Sequence, residues 1–520
     1  MGDEKRHTRR GFMQRCAAGW GALTLASHGR ARAENGGAAR PNILLALTDN
    51  QSWRHCGAMG DPIAQTPAFD RVAAEGVLFP NAFCPSPSCT PSRGALLTGQ
   101  DFWRLGSGGV LHGQWPKDLP LYTDLLSDAG YHVGYTGKGW GPGRWDRETR
   151  DHDLAGQPYN KAFLPDVPRN IFSGDYAGNL EAFLDDAAPG QPWCFWFGTK
   201  EPHRPFPEGY GKDQGLDEEA VALPAFLPDT PTVRNDYLDY YTELAWQDRH
   251  LARMLELLEA RGQLENTIVV VTSDNGIQMP RGIANLYDHG TRVPLAIRWG
   301  KNAPGGRTVQ DFVNLTDLAP TFLAAAGVDV PDAMTGRDLA PVLRSEKAGQ
   351  IDPKRDAVVT GIERHSLCRP GEVGYPMRMV RTADYLYIRN YEPGRWPAGA
   401  PDYKAPAQGF YGDVDNGPTK AWMVAHKDDP AVKPLFALCF GKRPAEELYH
   451  VPADPDQVTN LADDPAHAGA LARLRERLDQ TLADRGDPRA RGENPWDAYA
   501  YHSLQAVRYR DQFTNPHVLP

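Results

Sequence analysis

The 520-residue chain contains no apolar run of the roughly 18 residues that a membrane-crossing helix needs. Cysteine is scarce, seven in all. The six beyond Cys16 (Cys56, Cys84, Cys89, Cys194, Cys368 and Cys439) are scattered rather than arranged as a disulfide framework; Cys84 and Cys89 are the one pair close enough in sequence to suggest a local bridge. Internal repeats and low-complexity tracts are absent. A basic surplus is absent too: the formal net charge is −10. Non-specific binding to nucleic acid or to an anionic membrane is therefore excluded. With 41% hydrophobic and 23% charged residues, 52 Gly and 45 Pro, the composition is that of a globular protein, which excludes collagen-like, coiled-coil and disordered classes. The length is enough for two or three domains with at least one large core.

The N-terminus carries a targeting pattern. Thr8-Arg9-Arg10-Gly11-Phe12 precedes a short apolar stretch, Cys16 to Ala26, and Ala31-Arg32-Ala33 follows as a cleavage pattern. Residues 1–33 are expected to be a twin-arginine (Tat) signal peptide, delivering an already folded protein to the bacterial periplasm or outside the cell. Removing them, with seven Lys or Arg and two Asp or Glu, leaves 49 basic against 64 acidic residues and a net charge of −15. An anionic substrate would then have to be drawn in by a local cationic pocket.

Beyond the linker at Gly36–Arg40, continuous apolar runs at Asn42–Leu47, His132–Tyr135, Trp193–Phe197, Thr267–Thr272 and Val293–Ile297 read as buried strands. Helical patterns at Pro67–Glu75, Asp118–Ala129, Asn235–Arg261 and Leu315–Ala326 alternate with them. This predicts an α/β domain over 41–372 with a large, mostly parallel central sheet covered on both faces, and chemistry in the loops beyond the carboxyl ends of its strands. After residue 373 the pattern changes. A hairpin at Met377–Ile388 turning at Ala383-Asp384, a strand at Leu435–Phe440 and a helix at Leu471–Leu482 predict a smaller α+β C-terminal domain over 373–520.

The most specific segment is Cys89-Thr90-Pro91-Ser92-Arg93-Gly94-Ala95-Leu96-Leu97-Thr98-Gly99. Pro91 suits the first turn of a helix. Cys89 then stands at a helix N-terminus that favours negative charge, with Arg93 one turn on. The segment resembles the signature of the sulfatase family, C-x-P-S-R followed by L-T-G. That resemblance implies the alkaline-phosphatase-like α/β sandwich, and oxidation of Cys89 by a formylglycine-generating enzyme to formylglycine, whose hydrated aldehyde is the nucleophile. Softer motifs are similar to those of the heparan N-sulfatase (sulfamidase) branch: Ser273-Asp-Asn-Gly-Ile277 with Asn285-Leu-Tyr287, Tyr375-Pro-Met-Arg378, Glu447-Leu-Tyr449 and Asn460-Leu-Ala462.

Asp49-Asn50 and Asp274-Asn275 each follow a strand. Taken alone such a pair is an ordinary turn or cap. Together they form an oxygen set suited to Ca²⁺, or Mg²⁺, rather than zinc. By resemblance, Asp49, Asn50, Cys89, Asp274 and Asn275 hold the metal. Lys138 (in Thr136-Gly-Lys-Gly-Trp140) and Arg93 bind the sulfate, and His203 (in Glu201-Pro-His-Arg204) binds it and protonates the leaving group.

Two positions depart from the family. Trp140 stands where many sulfatases have a histidine, and indole is not a base. Ile283 stands where a second basic residue is usual. Arg281, His55, His112, His289 and His365 are the groups that could substitute, and Glu363-Arg364-His365 is a candidate for substrate recognition. Three readings follow: an exported sulfatase cleaving sulfate esters or sulfamates of a sulfated saccharide, a phosphodiester or phosphonate monoester hydrolase on the same fold, and a catalytically weak sulfoglycan-binding protein.

Overall fold

The computed structural model describes residues 40–405 and 408–503. The predicted signal peptide lies outside them. Among the described residues no helix is long and apolar enough to cross a membrane.

Eight strands form the main sheet, in the order 307–308, 77–78, 295–298, 267–273, 42–48, 193–198, 132–137, 157–158. The centre is parallel: Asn42–Thr48 pairs with Trp193–Gly198 on one side and Thr267–Ser273 on the other, and His132–Gly137 extends the sheet from Trp193–Gly198. Alternation sends Ile43, Leu45 and Leu47 to one face and Leu44 and Ala46 to the other, all buried. Helices Cys89–Thr98, Tyr122–Asp128 and Leu318–Ala326 cover the first face through Leu96, Leu126 and Phe322. Helices Pro67–Glu75, Tyr176–Asp186 and Pro231–Ala260 cover the second through Phe69, Phe183 and Leu255. This is the predicted sandwich.

Prolines account for two departures from the sequence reading. Pro294 splits the predicted Val293–Ile297 strand into Arg292–Val293 and Leu295–Arg298, and the second piece runs antiparallel to Thr267–Ser273. Pro120 delays the predicted helix at Asp118, which starts only at Tyr122.

A separate four-stranded antiparallel sheet joins Ala357–Ile362, Met377–Thr382, Tyr385–Asn390 and Glu446–His450, so its first strand precedes residue 373. Helix Ala468–Asp484 packs on it through Leu474 and Leu478. The predicted strand at Leu435–Phe440 is wrong: Lys433–Phe440 is a helix. Pro434 suits its first turn, and Phe436 stacks on Phe440 four residues later, with ring centroids 4.6 Å apart. A short apolar run does not distinguish the two periods.

Arg378 ties this sheet to the chain beyond its helix. It is fully buried, donates to Glu363 at 2.6 Å and to Asp487 at 2.6 Å, and Arg489 completes the Glu363 pair at 2.7 Å. Removing one member strands buried charge. Arg378→Met is expected to lower unfolding free energy by about 3–5 kcal/mol, read from denaturant midpoints; a loss below about 1 kcal/mol would show that the network is dispensable.

Candidate active site

The parallel strands deliver their carboxyl ends to one edge. Asp49-Asn50 follows Asn42–Thr48, Lys138 follows His132–Gly137, Lys200 to His203 follow Trp193–Gly198, and Asp274-Asn275 follows Thr267–Ser273. Backbone bonds lock these ends together: Asp274 N donates to Thr48 O at 3.0 Å, Asp49 N to Glu201 O at 3.0 Å, and Lys138 N to Gly198 O at 2.7 Å. Glycine is required before Lys138. Gly137 has φ 76°, and a Cβ there would sit 2.0 Å from Gly198 O.

Cys89 begins its helix as expected, with Ser88 at the cap. Its Sγ lies 3.4 Å from Asp49 Oδ1 and 3.9 Å from Asn50 Oδ1, and Asn275 Nδ2 approaches it at 3.8 Å. Asn50 adopts φ 76° and donates its backbone N–H to Asp274 Oδ1 at 3.1 Å. One ligand atom from each of Asp49, Cys89 and Asp274 falls within 4.8 Å of the others. Asn275 Oδ1 is buried with no hydrogen-bond partner. Two buried carboxylates with an orphaned amide oxygen suit a hard divalent cation.

Arg93 is fully buried. Its Nε donates to Asp274 Oδ2 at 2.7 Å and Nη1 to the carbonyls of Lys138 at 2.9 Å and Gly139 at 3.1 Å, while Nη2 has no partner. Lys138 Nζ pairs with Asp49 Oδ2. Burial raises the Asp49 carboxyl, but Lys138, His203 and Arg93 overcome this and hold it well below the usual carboxylate range. Burial and the neighbouring Asp49 charge push Asp274 upward against the pull of Arg93. Burial, with Asp49 beside it, pushes the Cys89 thiol well above its ordinary value, so the unmodified side chain is a poor nucleophile.

These groups open onto a cavity of about 830 Å³. Asp49, Cys89, Lys138 and His203 line it, with Trp140, Ile283, His112 and His365. Thus the eight predicted site residues converge on one spot. His203 is exposed, and its Nδ1 lies 2.7 Å from Arg204 O.

The groups named as substitutes divide. His365 lines the cavity with Nδ1 2.9 Å from Ser88 Oγ, and His112 lines it too. His55 is enclosed by Tyr237, Tyr240 and Tyr241, and His289 is buried against Asp456; neither reaches the cavity. Arg281 does not either. It donates to Leu438 O and Gln457 O and lies 3.6 Å over the Tyr287 ring. Glu363 belongs to the Arg378 network. Trp140 is buried and donates Nε1–H to Thr90 O at 3.1 Å. Cys84 and Cys89 are both free.

Residues that the sequence reading did not single out complete the frame. Glu201 is buried and accepts from Tyr176 OH at 2.8 Å and Phe172 N at 3.1 Å, fixing the loop that carries His203. Asp153 accepts from Trp140 N at 2.8 Å. Asp415 reaches the cavity from the C-terminal half, held by Gln278 Nε2 at 2.9 Å. Only Glu201, two residues before His203, had a local signal.

Burial drives the pKa of His112 down to about 4, as it does that of His250 behind the sheet. Both are neutral in the fold at pH 5 but protonated in the unfolded chain. Stability is therefore present above pH 6.5 and is lost as pH falls from about 6.5 to about 4, by up to about 2 kcal/mol per histidine at pH 5. Denaturant midpoints at pH 7 and pH 5 check this; equal midpoints would contradict it.

Comparison with known proteins matches residues 41–328 to the family model described as Sulfatase, and residues 284–392 to that described as N-sulphoglucosamine sulphohydrolase, C-terminal. The chain is 30% identical to the human N-sulphoglucosamine sulphohydrolase over 498 residues, covering 86% of this chain and 91% of that one. It is 26% identical to an ulvan-active sulfatase of Formosa agariphila over 460 residues, covering 86% and 81%. Among solved structures, a complex with the substrate D-glucosamine-2-N,6-O-disulfate superposes with a TM-score of 0.58 at 21% identity, covering 86% of this chain and 98% of that one. The phosphonate monoester hydrolase of Agrobacterium radiobacter superposes with a TM-score of 0.61 at 17% identity, covering 86% and 96%. The chain belongs to the sulfatase family and is a hydrolase of sulfate esters or sulfamates.

Proposed function

We propose that the protein is an exported sulfatase that removes sulfate from a sulfated saccharide, with formylglycine derived from Cys89 supplying the nucleophilic oxygen. The observation that carries this reading is the placement of Cys89: it begins its helix beside Asp49 and Asn50, with Arg93 fastened to Asp274 one turn behind it. Ca²⁺, or Mg²⁺, held by Asp49, Asn50, Asp274, Asn275 and the side chain at 89, would polarise the sulfate and acidify the nucleophile. Arg93 Nη2, buried and unpartnered, is free to donate to a sulfate oxygen. Lys138 adds positive charge where charge builds in the transition state. His203, exposed at the cavity mouth, delivers a proton to the departing oxygen or nitrogen.

The relatives support a sulfated saccharide as the substrate class: their names include N-sulphoglucosamine and ulvan. The paired Arg9-Arg10 supports Tat export, with conversion of Cys89 by a formylglycine-generating enzyme before the folded protein leaves the cytoplasm. Changing both arginines to lysine is expected to retain the protein in the cytoplasm, as fractionation would show; unchanged export would remove this part of the reading.

The decisive assay compares glucosamine N-sulfate, glucosamine 6-sulfate and a phenyl phosphonate monoester. Sulfate release at a higher kcat/KM than phosphonate hydrolysis is expected. The reverse order would favour the phosphonate or phosphodiester reading that the neighbouring hydrolase fold makes concrete. Binding without release would favour a sulfoglycan-binding protein, which Trp140 and Ile283 make the specific rival.

A further inference from the structure

The cavity holds a cation that the proposed chemistry does not use. Three basic side chains other than histidine line it: Lys138, Lys200 and Arg204. Lys138 is committed to Asp49, and Arg204 to Asp236 at 2.7 Å. Lys200 forms no ion pair among the described residues. Its Nζ instead lies 3.6 Å from the centroid of the Phe172 ring, which holds the ammonium over an aromatic face at the cavity wall.

The loop around it is built to keep it there. Lys200 N donates to Tyr176 OH at 3.1 Å, and Lys200 O accepts from His203 N at 3.0 Å. The nearest carboxylate in sequence, Glu201, is turned beneath the loop and occupied by Phe172 N and Tyr176 OH. The ammonium is thus displayed three residues from His203, on the same turn, over the Phe172 face at the cavity wall. The side chain is exposed; partial desolvation and the charge of Lys138 lower its pKa against the opposing charge of Glu201.

Resting on the sulfatase reading above, we propose that Lys200 forms a second anion subsite that reads a further negatively charged group of the saccharide, beside the sulfate placed at Cys89. The shared chemistry is an oxyanion, carried either by a second sulfate or by a uronate carboxylate. Lys200 is then a specificity-determining residue: it acts on which sugar is held, through KM.

The test uses the full-length protein and its Lys200→Met and Lys200→Arg variants, with three probes: glucosamine 2-N-sulfate, glucosamine 2-N,6-O-disulfate, and a uronate-containing disaccharide with one N-sulfate. Lys200→Met keeps an unbranched apolar side chain beside Phe172 and removes the ammonium. It is expected to raise KM for a doubly anionic sugar about ten-fold more than for the monosulfate, the size of one charge-assisted contact. Lys200→Arg is expected to restore the preference. A loss confined to the disulfate assigns the second anion as sulfate, one confined to the disaccharide assigns it as carboxylate, and a loss on both leaves an oxyanion subsite of either kind. Calorimetric titration of Cys89→Ala protein with and without Lys200→Met repeats the ranking without turnover. Equal KM changes on all three probes, or none, would overturn the subsite while leaving the sulfatase reading in place. A wild-type protein that neither binds nor cleaves any of the three would overturn both.

Discussion

Cys89→Ala is expected to lower kcat for sulfate release by about 10⁴-fold or more, the scale seen when an enzyme loses its nucleophile. The side chain is small and only 3% exposed, and its contacts are long thiol approaches to Asp49, Asn50 and Asn275. The stability change should therefore stay within about 1–2 kcal/mol. That separation matters: an inactive but well-folded variant isolates chemistry from structure. Sulfate release measured beside a denaturant melt checks it. Activity within ten-fold of wild type would mean that the reaction runs without the residue at 89.

Arg93→Ala is expected to act on both at once. The guanidinium is the counter-ion of Asp274 and the donor to two carbonyls on the Lys138 loop. Without it Asp274 is left beside Asp49 in a fully buried site, which should destabilise the fold by about 3–5 kcal/mol and remove the proposed sulfate donor as well. Added Ca²⁺ should return part of the stability, since a cation between the two carboxylates relieves the same repulsion. Arg93→Lys keeps the charge but loses the fork, so it should recover stability more than kcat. Thermal melts with and without Ca²⁺ or a chelator read the first effect and initial rates the second. A melt unchanged by Arg93→Ala would contradict the assignment.

What the sequence made legible follows from where the information is local. Continuous apolar runs located the central strands, and a polar residue ending each run located Asp49, Lys138, His203 and Asp274 at one sheet edge, because parallel strands share the direction of their carboxyl ends. Cys89 and Arg93 were legible because helix capping and one-turn spacing are short-range rules. The histidines were not. His55, His112, His289 and His365 look alike in sequence, and only packing separates the cavity pair from the two lodged against tyrosines and Asp456. Arg281 failed for the same reason: its left-handed φ of 67° turns the side chain onto Tyr287 and the Leu438 carbonyl, away from the neighbouring Ile283 at the cavity. The helix at Lys433–Phe440 was hidden by length, eight residues being too few for the period to declare itself. Asp415 comes from a loop far along the chain and has no local signature at all.

The central claim is that Cys89 is the precursor of the nucleophile, and it is tested most directly by the mass of the tryptic peptide Val72–Arg93 from protein made in its native host. Conversion to formylglycine removes one sulfur and two hydrogens and adds one oxygen. The account predicts that the lighter peptide dominates in active preparations and that sulfate release scales with its fraction. An intact thiol in a preparation that still releases sulfate would contradict it.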